Sequence, residues 1–336
     1  MTIDIEYLII CLEHLQGGRR MKVKFYGTRG SVPISRNESS KFGGNTTCLR
    51  IESEAVPPRW GLAIDGGTGI VPLGTQNFGL EKLVILFTHW HHDHTQGLPL
   101  CPLTFVKECK IICIGPVEDG MGPREVFEKI MRPPLFPVHF VEVASHFECH
   151  PIEYPHTKVI VFHLLGGLRM LTLEDFEVAE GAKWRQLEFG GGHFPLSECL
   201  IVKMLKTNHP ERTISYRLEE RSTGRVFVFL TDHENTEALP TALISHLKGA
   251  DLLVMDAQYS REKYDKQTAG FGHATPDYCA RVAVEVGAKR LGLTHHDPFS
   301  NDKIIEEMAE AARKYLKKQG AKIEVFACAD YLEVEV

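Results

Sequence analysis

Short apolar runs alternate along the chain with polar stretches rich in glycine and proline. Residues 82–87 read Lys-Leu-Val-Ile-Leu-Phe, apolar and β-branched enough for a buried strand. Similar runs predict strands at 21–26, 47–52, 61–64, 110–114, 200–206, 213–218, 226–230, 252–255 and 290–294. Helical spacing is clearest near the end. Thr275 suits an N-cap, Pro276 a first turn and Gly287 a stop. A further helix starts at Ser300 or Asn301 and puts Ile304, Ile305, Met308, Ala312, Tyr315 and Leu316 on one face. Lys317 and Lys318 favour its C-terminal dipole. Another helix is expected over 123–131. Tyr7, Leu8, Cys11, Leu12 and Leu15 can line a short N-terminal helix that Gly17-Gly18 would end.

Polar residues recur where these apolar runs stop. Asp65 closes one run and Asp232 another, and Asp256 and His295 close two more. The densest case follows Phe87: Thr88-His89-Trp90-His91-His92-Asp93-His94, an H-x-H-x-D-H pattern. Imidazole suits zinc, and a carboxylate can complete its shell or bridge two ions. A histidine-rich surface loop would explain isolated histidines, but not this order straight after a buried strand.

Composition narrows the picture further. The 43% hydrophobic and 24% charged residues are ordinary for a soluble globular protein, so no disordered or fibrous class is indicated. Length alone suggests two domains, though one large sandwich can absorb 336 residues. The nine cysteines include no C-x-x-C pair, which fits a reducing, cytoplasmic setting better than a disulfide framework. No apolar run approaches the roughly 20 residues of a membrane span. The formal charge of −6, without a basic block, disfavours long nucleic acid as a partner. It points instead to a small phosphodiester or nucleotide substrate, and leaves a homodimer open.

The metal motif resembles the signature of the metallo-β-lactamase superfamily. Phe25-Tyr26-Gly27-Thr28-Arg29-Gly30-Ser31, Gly43-Gly44-Asn45-Thr46-Thr47, Ile64-Asp65-Gly66-Gly67-Thr68-Gly69, Asn208-His209-Pro210 and Leu293-Thr294-His295-His296-Asp297-Pro298 narrow the resemblance. They are similar to the branch that holds the tRNA 3′-processing endonuclease ribonuclease Z and cyclic-nucleotide phosphodiesterases. The resemblance implies an α/β fold, an αββα sandwich of two mixed sheets flanked by helices, over 21–336. It departs from the family at about 154–195, which reads as an inserted arm or lid carrying His156, His163 and His193. Residues 1–20 are then an N-terminal extension, either ahead of a native start at Met21 or a real helix packed on the sandwich.

Carried over residue by residue, the resemblance implies that His89, His91 and His209 hold one zinc. Asp93, His94 and His295 would hold a second, and Asp232 would bridge both, with manganese or iron as alternatives. A hydroxide between the ions would attack, with Asp93 orienting it and His273 serving as acid or anion partner. Asp65 would hold the histidine-rich loop from behind. Arg29 and Tyr216 would contact substrate. Arg217, on the same strand as Tyr216, would either meet a phosphate or, if alternation turns it away, have a structural role.

The expected activity is thus a dinuclear zinc phosphodiesterase acting on a small phosphodiester such as a cyclic nucleotide. The alternatives are a ribonuclease Z-like endoribonuclease, a glyoxalase II-like thioesterase or iron sulfur dioxygenase, and a non-catalytic metal-dependent ligand sensor.

Overall fold

A computed structural model describes residues 21–154 and 158–336. The expected N-terminal helix and His156 lie outside these residues. The chain opens with β1 (Lys22–Gly27), β2 (Cys48–Glu52), β3 (Trp60–Ile64), β4 (Lys82–Leu86), β5 (Lys110–Pro116) and β6 (Phe147–Ile152). It continues through β7 (Lys158–His163), β8 (Gly167–Thr172), β9 (Gln186–Phe189), β10 (Gly192–Pro195), β11 (Leu200–Lys206), β12 (Ile214–Glu220) and β13 (Arg225–Leu230). It closes with β14 (Leu252–Asp256), β15 (Arg290–Thr294), β16 (Glu324–Ala327) and β17 (Glu333–Glu335).

These strands form two mixed sheets, ordered β17-β1-β2-β3-β4-β5-β6 and β16-β15-β14-β13-β12-β11-β7-β8, plus the β9–β10 hairpin. Alternation sorts each strand between two cores. In β12, Ile214, Tyr216 and Leu218 point into the space between the sheets, where they meet Phe25, Ile64, Leu86, Phe227 and Phe229. Each such fully buried side chain contributes roughly 1.5–3 kcal/mol. The outer faces are covered by helices. The first sheet carries α1 (Ile70–Gln76) and α2 (Pro123–Ile130). The second carries α4 (Thr241–Leu247), α5 (Pro276–Val286) and α6 (Asp302–Lys318). The layers are therefore α, β, β, α, as expected.

The helix signals have direct structural counterparts. Asn301 Oδ1 accepts from the Ile304 amide at 3.0 Å and starts α6. Gly287 ends α5 at φ +68°, a left-handed position that suits glycine. On α6, Ile305, Met308, Ala312 and Leu316 are buried, whereas Ile304 sits at the exposed margin of the face.

The expected arm differs in extent. Lys158–His163 is an interior strand, with Ile160 and Phe162 in the inter-sheet core. Beyond it come β8, α3 (Leu173–Gly181) and the hairpin. They pack Phe176, Leu187, Phe189 and Leu196 onto Val159, Val161 and Ile201, the outward residues of β7 and β11. This segment covers the second sheet where a helix would otherwise lie.

Topology puts the site loops on one edge. Strands β3 to β6 run parallel, as do β13 to β16. Two antiparallel steps relate β1 to β3 and β11 to β13, so β1 and β11 share those directions. The residues following β1, β3, β4, β11, β13 and β15 therefore all leave from the carboxyl edge, where open α/β sheets bind ligands. The Ile214 amide donates to the Thr88 carbonyl at 2.8 Å, and the Tyr216 hydroxyl donates to the Phe87 carbonyl at 2.7 Å. These bonds tie the second sheet to the end of β4.

Candidate metal centre

Each ligand candidate sits where a strand stops. His89, His91, Asp93 and His94 follow β4, the last two on a single helical turn, His92–Thr95. His209 follows β11, Asp232 follows β13 and His295 follows β15. Asp65, Asp232 and His295 hold left-handed backbone, at φ +61°, +48° and +60°. Such positions are strained for side-chain-bearing residues and cluster at functional sites.

Asp232 lies at the centre. Its Oδ1 is 3.7 Å from His89 Nε2 and 3.8 Å from His209 Nε2. Its Oδ2 is 3.3 Å from His94 Nε2 and 3.5 Å from His295 Nε2. Asp93 Oδ2 joins the second pair, 3.4 Å from His94 Nε2 and 3.1 Å from His295 Nε2. Ligand-bearing atoms thus fall into three overlapping groups, His89/His91/His209/Asp232, Asp93/His94/His295 and Asp232/Asp256/His273/His295. All are buried except His91. His89 Nε2 and Asp232 Oδ1 are buried without any hydrogen-bond partner. Orphaned buried atoms are costly, and a cation between them would satisfy both. The donor set, imidazole with carboxylate, is that of a zinc site.

Charge on these groups follows their surroundings. Burial pushes the His89 imidazole well below its usual range, and His94 beside it adds to this. A neutral ring keeps its lone pair free for a metal. Burial opposes ionisation of Asp232, but His295, His94 and His89 outweigh it and hold the carboxyl well below the usual range.

A surrounding shell orients the ligands. Asp65 Oδ2 accepts from His94 Nδ1 at 2.8 Å, and its Oδ1 accepts from the Thr88 amide at 2.7 Å. Gln258 Oε1 faces His295 Nδ1 at 3.2 Å, and the Ser31 amide donates to Asp93 Oδ2 at 2.6 Å. His273 Nδ1 meets Asp256 Oδ2 at 2.7 Å and lies 3.8 Å from Asp232 Oδ1. With Nδ1 held by Asp256, a proton carried on Nε2 of His273 is the one that can be donated.

Asp256, Gln258 and Ser31 were not singled out by sequence reasoning. Asp256 did carry a signal, since it ends an apolar run as Asp232 does.

Other expected residues lie elsewhere. Arg29 is fully buried, so it is not a substrate contact. Its Nη1 donates to the Asp297 and Ser300 carbonyls at 3.1 and 2.8 Å, and its Nε to the Gly43 carbonyl at 2.9 Å. Tyr216 is also buried, facing the inter-sheet core, so substrate cannot reach it. Arg217 points the other way and donates to the His246 and Lys248 carbonyls. His296 Nε2 bonds the Cys328 carbonyl at 2.8 Å. His163 stacks on Phe194, and neither it nor His193 joins a ligand group among the described residues.

The model for the β-lactamase superfamily domain matches residues 76–296. A ribonuclease Z from Brevibacillus brevis is 40% identical over 303 residues, covering 84% of this chain and 87% of that protein. A ribonuclease Z from Haloarcula marismortui is 27% identical, covering 87% of this chain and 92% of the relative. Among solved structures, yeast PDE1 superposes with TM-score 0.61 at 12% identity, covering 94% of this chain and 99% of that one. The short form of human tRNase Z gives 0.54 at 19% identity, covering 93% and 98%. Zinc-bound PqqB from Methylobacterium extorquens gives 0.55 at 12% identity, covering 94% and 100%. These three likenesses bear on fold alone.

The sequence relatives overturn one expectation, that long nucleic acid is disfavoured. Net charge sums over the whole surface, whereas a phosphate backbone meets one face, so a charge of −6 does not decide the matter. No described helix is long and apolar enough to cross a membrane. With its ligand groups at the carboxyl edge of an αββα sandwich, the chain belongs to the metallo-β-lactamase superfamily, in its ribonuclease Z and phosphodiesterase-like branch, and is a metal-dependent hydrolase.

Proposed function

We propose that the protein is a dinuclear zinc phosphodiesterase of ribonuclease Z type, cleaving a phosphodiester in RNA. The observation that carries the two-ion reading is the division of Asp232, with Oδ1 facing His89 and His209 and Oδ2 facing His94 and His295. In this reading His89, His91 and His209 would hold one ion and Asp93, His94 and His295 the other, with Asp232 available to either. The ions, when bound, supply Lewis acidity toward phosphoryl oxygens and lower the pKa of a water to near neutrality.

The chain's own residues do the rest. Asp65 and Gln258 fix the ring planes of His94 and His295. Asp93, anchored by the Ser31 amide, orients the attacking water and takes up its proton. His273, backed by Asp256, protonates the departing oxygen or binds a non-bridging one. RNA is favoured over a free cyclic nucleotide because the sequence relatives are named ribonuclease Z.

The test is to offer zinc-loaded protein a precursor-tRNA transcript with a 3′ trailer, a 3′,5′-cyclic nucleotide and bis(p-nitrophenyl) phosphate. Internal cleavage of the transcript, lost with chelator and with Asp232→Ala, is expected. Turnover of the cyclic nucleotide with an intact transcript would replace this reading.

A further inference from the structure

The rim of the metal centre carries a phenylalanine that the proposed chemistry does not use. Phe299 is 75% exposed, four residues after His295. Single exposed apolar residues are common and need no explanation. Two features set this one apart.

The first is how firmly it is held. The buried Arg29 guanidinium grips the carbonyls of Asp297 and Ser300, on either side of Phe299. The Phe299 amide donates to Asp297 Oδ1 at 3.0 Å, and the Ser300 amide to the Asp297 carbonyl at 2.9 Å. The backbone is fixed at both flanks while the ring is left in solvent.

The second is its connection to the site. Lys263 ion-pairs with Asp297. Its Nζ lies 5.6 Å from the Phe299 ring centre and 5.0 Å from that of Tyr259. The Tyr259 ring in turn meets His273, with centres 5.7 Å apart in an edge-on arrangement. A continuous row thus runs His273, Tyr259, Lys263, Phe299, with a cation between two aromatic faces.

We propose that this row is a nucleotide subsite, in which Phe299 stacks a base next to the scissile phosphate and Lys263 meets the adjoining phosphate. A π-face accepts any base, and a neighbouring ammonium suits the backbone, which together are the chemistry of sequence-tolerant single-strand binding. With the backbone already fixed, binding costs only the freedom of the ring itself, so contact converts efficiently to affinity. The inference rests on the RNA reading above and names the part of the strand that the rim holds.

The test uses a hairpin RNA with a single-stranded 3′ trailer, and two copies carrying an abasic site on one or the other side of the cleavage point. Phe299→Ala and Phe299→Trp are compared with wild type. Phe299→Ala is expected to raise KM about tenfold on the intact RNA, with kcat changed less than twofold, and Phe299→Trp to restore KM. Being exposed, the site tolerates truncation without unfolding. On one of the two abasic RNAs the KM difference between wild type and Phe299→Ala should collapse. Lys263→Gln should raise KM and flatten its salt dependence. If wild type cleaves the RNA but Phe299→Ala leaves KM within twofold, the subsite is wrong and the RNA reading stands. If wild type cleaves none of the RNAs, the RNA reading itself fails and the subsite falls with it.

Discussion

A single carboxylate, Asp232, stands between two sets of imidazoles, and substitutions around it separate holding metal from using it. Asp232→Ala is expected to lose both ions and turnover together, read by elemental analysis beside kinetics. His273→Ala should keep both ions and cut turnover about 10²-fold, most on alkoxide leaving groups and less on p-nitrophenolate. Retention of two ions by Asp232→Ala would show that the ligands are assigned wrongly. A buried histidine away from the metals gives an independent check on the packing. His246 lies against Ser215 Oγ at 3.1 Å, and burial pushes its imidazole down to about 3. Unfolded, it titrates near 6.5, so between about 6.5 and 3 the unfolded chain binds the extra proton. Its contribution is complete above pH 6.5 and is lost as pH falls through that window. From pH 7.5 to 5.5 wild type should lose about 1.4 kcal/mol more stability than His246→Gln. Denaturant titration of both proteins measures this, and metal loss common to the two cancels. An equal pH dependence would mean that the ring is charged or exposed. Sequence reading reached the ligand candidates because polar residues that end apolar runs are conspicuous. It misplaced Arg29 and Tyr216 because family position does not say which way a side chain points, whether from a loop or from a strand. Tyr216 shares the inward face with Ile214 and Leu218, and that parity is fixed only once the sheet is paired.

Among elements, the strands were legible because their apolar runs are short and bounded by turn residues. Leu200–Lys206 and Arg290–Thr294 begin and end where the pattern predicts. Helices α5 and α6 were legible from Thr275, Gly287 and Asn301. Lys158–His163 was not, since the glycine-rich segment after it hid a core strand inside what read as an insertion. The loops at the carboxyl edge are the functional elements, and two glycines in one of them test how tightly they fit. Gly270 and Gly272 both sit at φ +89°. A Cβ on Gly270 would meet open space, whereas one on Gly272 would lie 2.3 Å from His209 Cδ2. Alanine at either position carries a backbone strain of about 1–3 kcal/mol. Only Gly272→Ala should also displace His209. It is expected to weaken zinc binding at least about tenfold, while Gly270→Ala lowers stability with metal affinity intact. Zinc titrations of both variants decide this, and equal affinities would mean that the loop yields without moving the ligand.

At the scale of the whole molecule, the αββα layering could be anticipated, but the partner could not, because net charge is a property of the entire surface. The layering has a mechanical consequence at the site. Asp65 and the His89–His94 segment leave from the first sheet, while His209, Asp232 and His295 leave from the second. Each proposed ion therefore takes ligands from both sheets and links them across the inter-sheet core. Binding to the folded state alone adds about 2.7 kcal/mol per ion at a free concentration a hundredfold above its Kd. For a chain of this length the unfolding entropy is about 0.7 kcal/mol per degree, so two such ions should raise Tm by about 8 °C. Chelated protein should melt lower by that amount and recover when zinc is restored. In Asp232→Ala the two melting curves should coincide, because the carboxylate shared by both ions is gone. Asp65→Asn should keep part of the shift, since it loosens His94 without removing a ligand. A wild-type Tm that ignores chelator would mean that the sheets hold together without metal and that the ligand groups bind too weakly to link them.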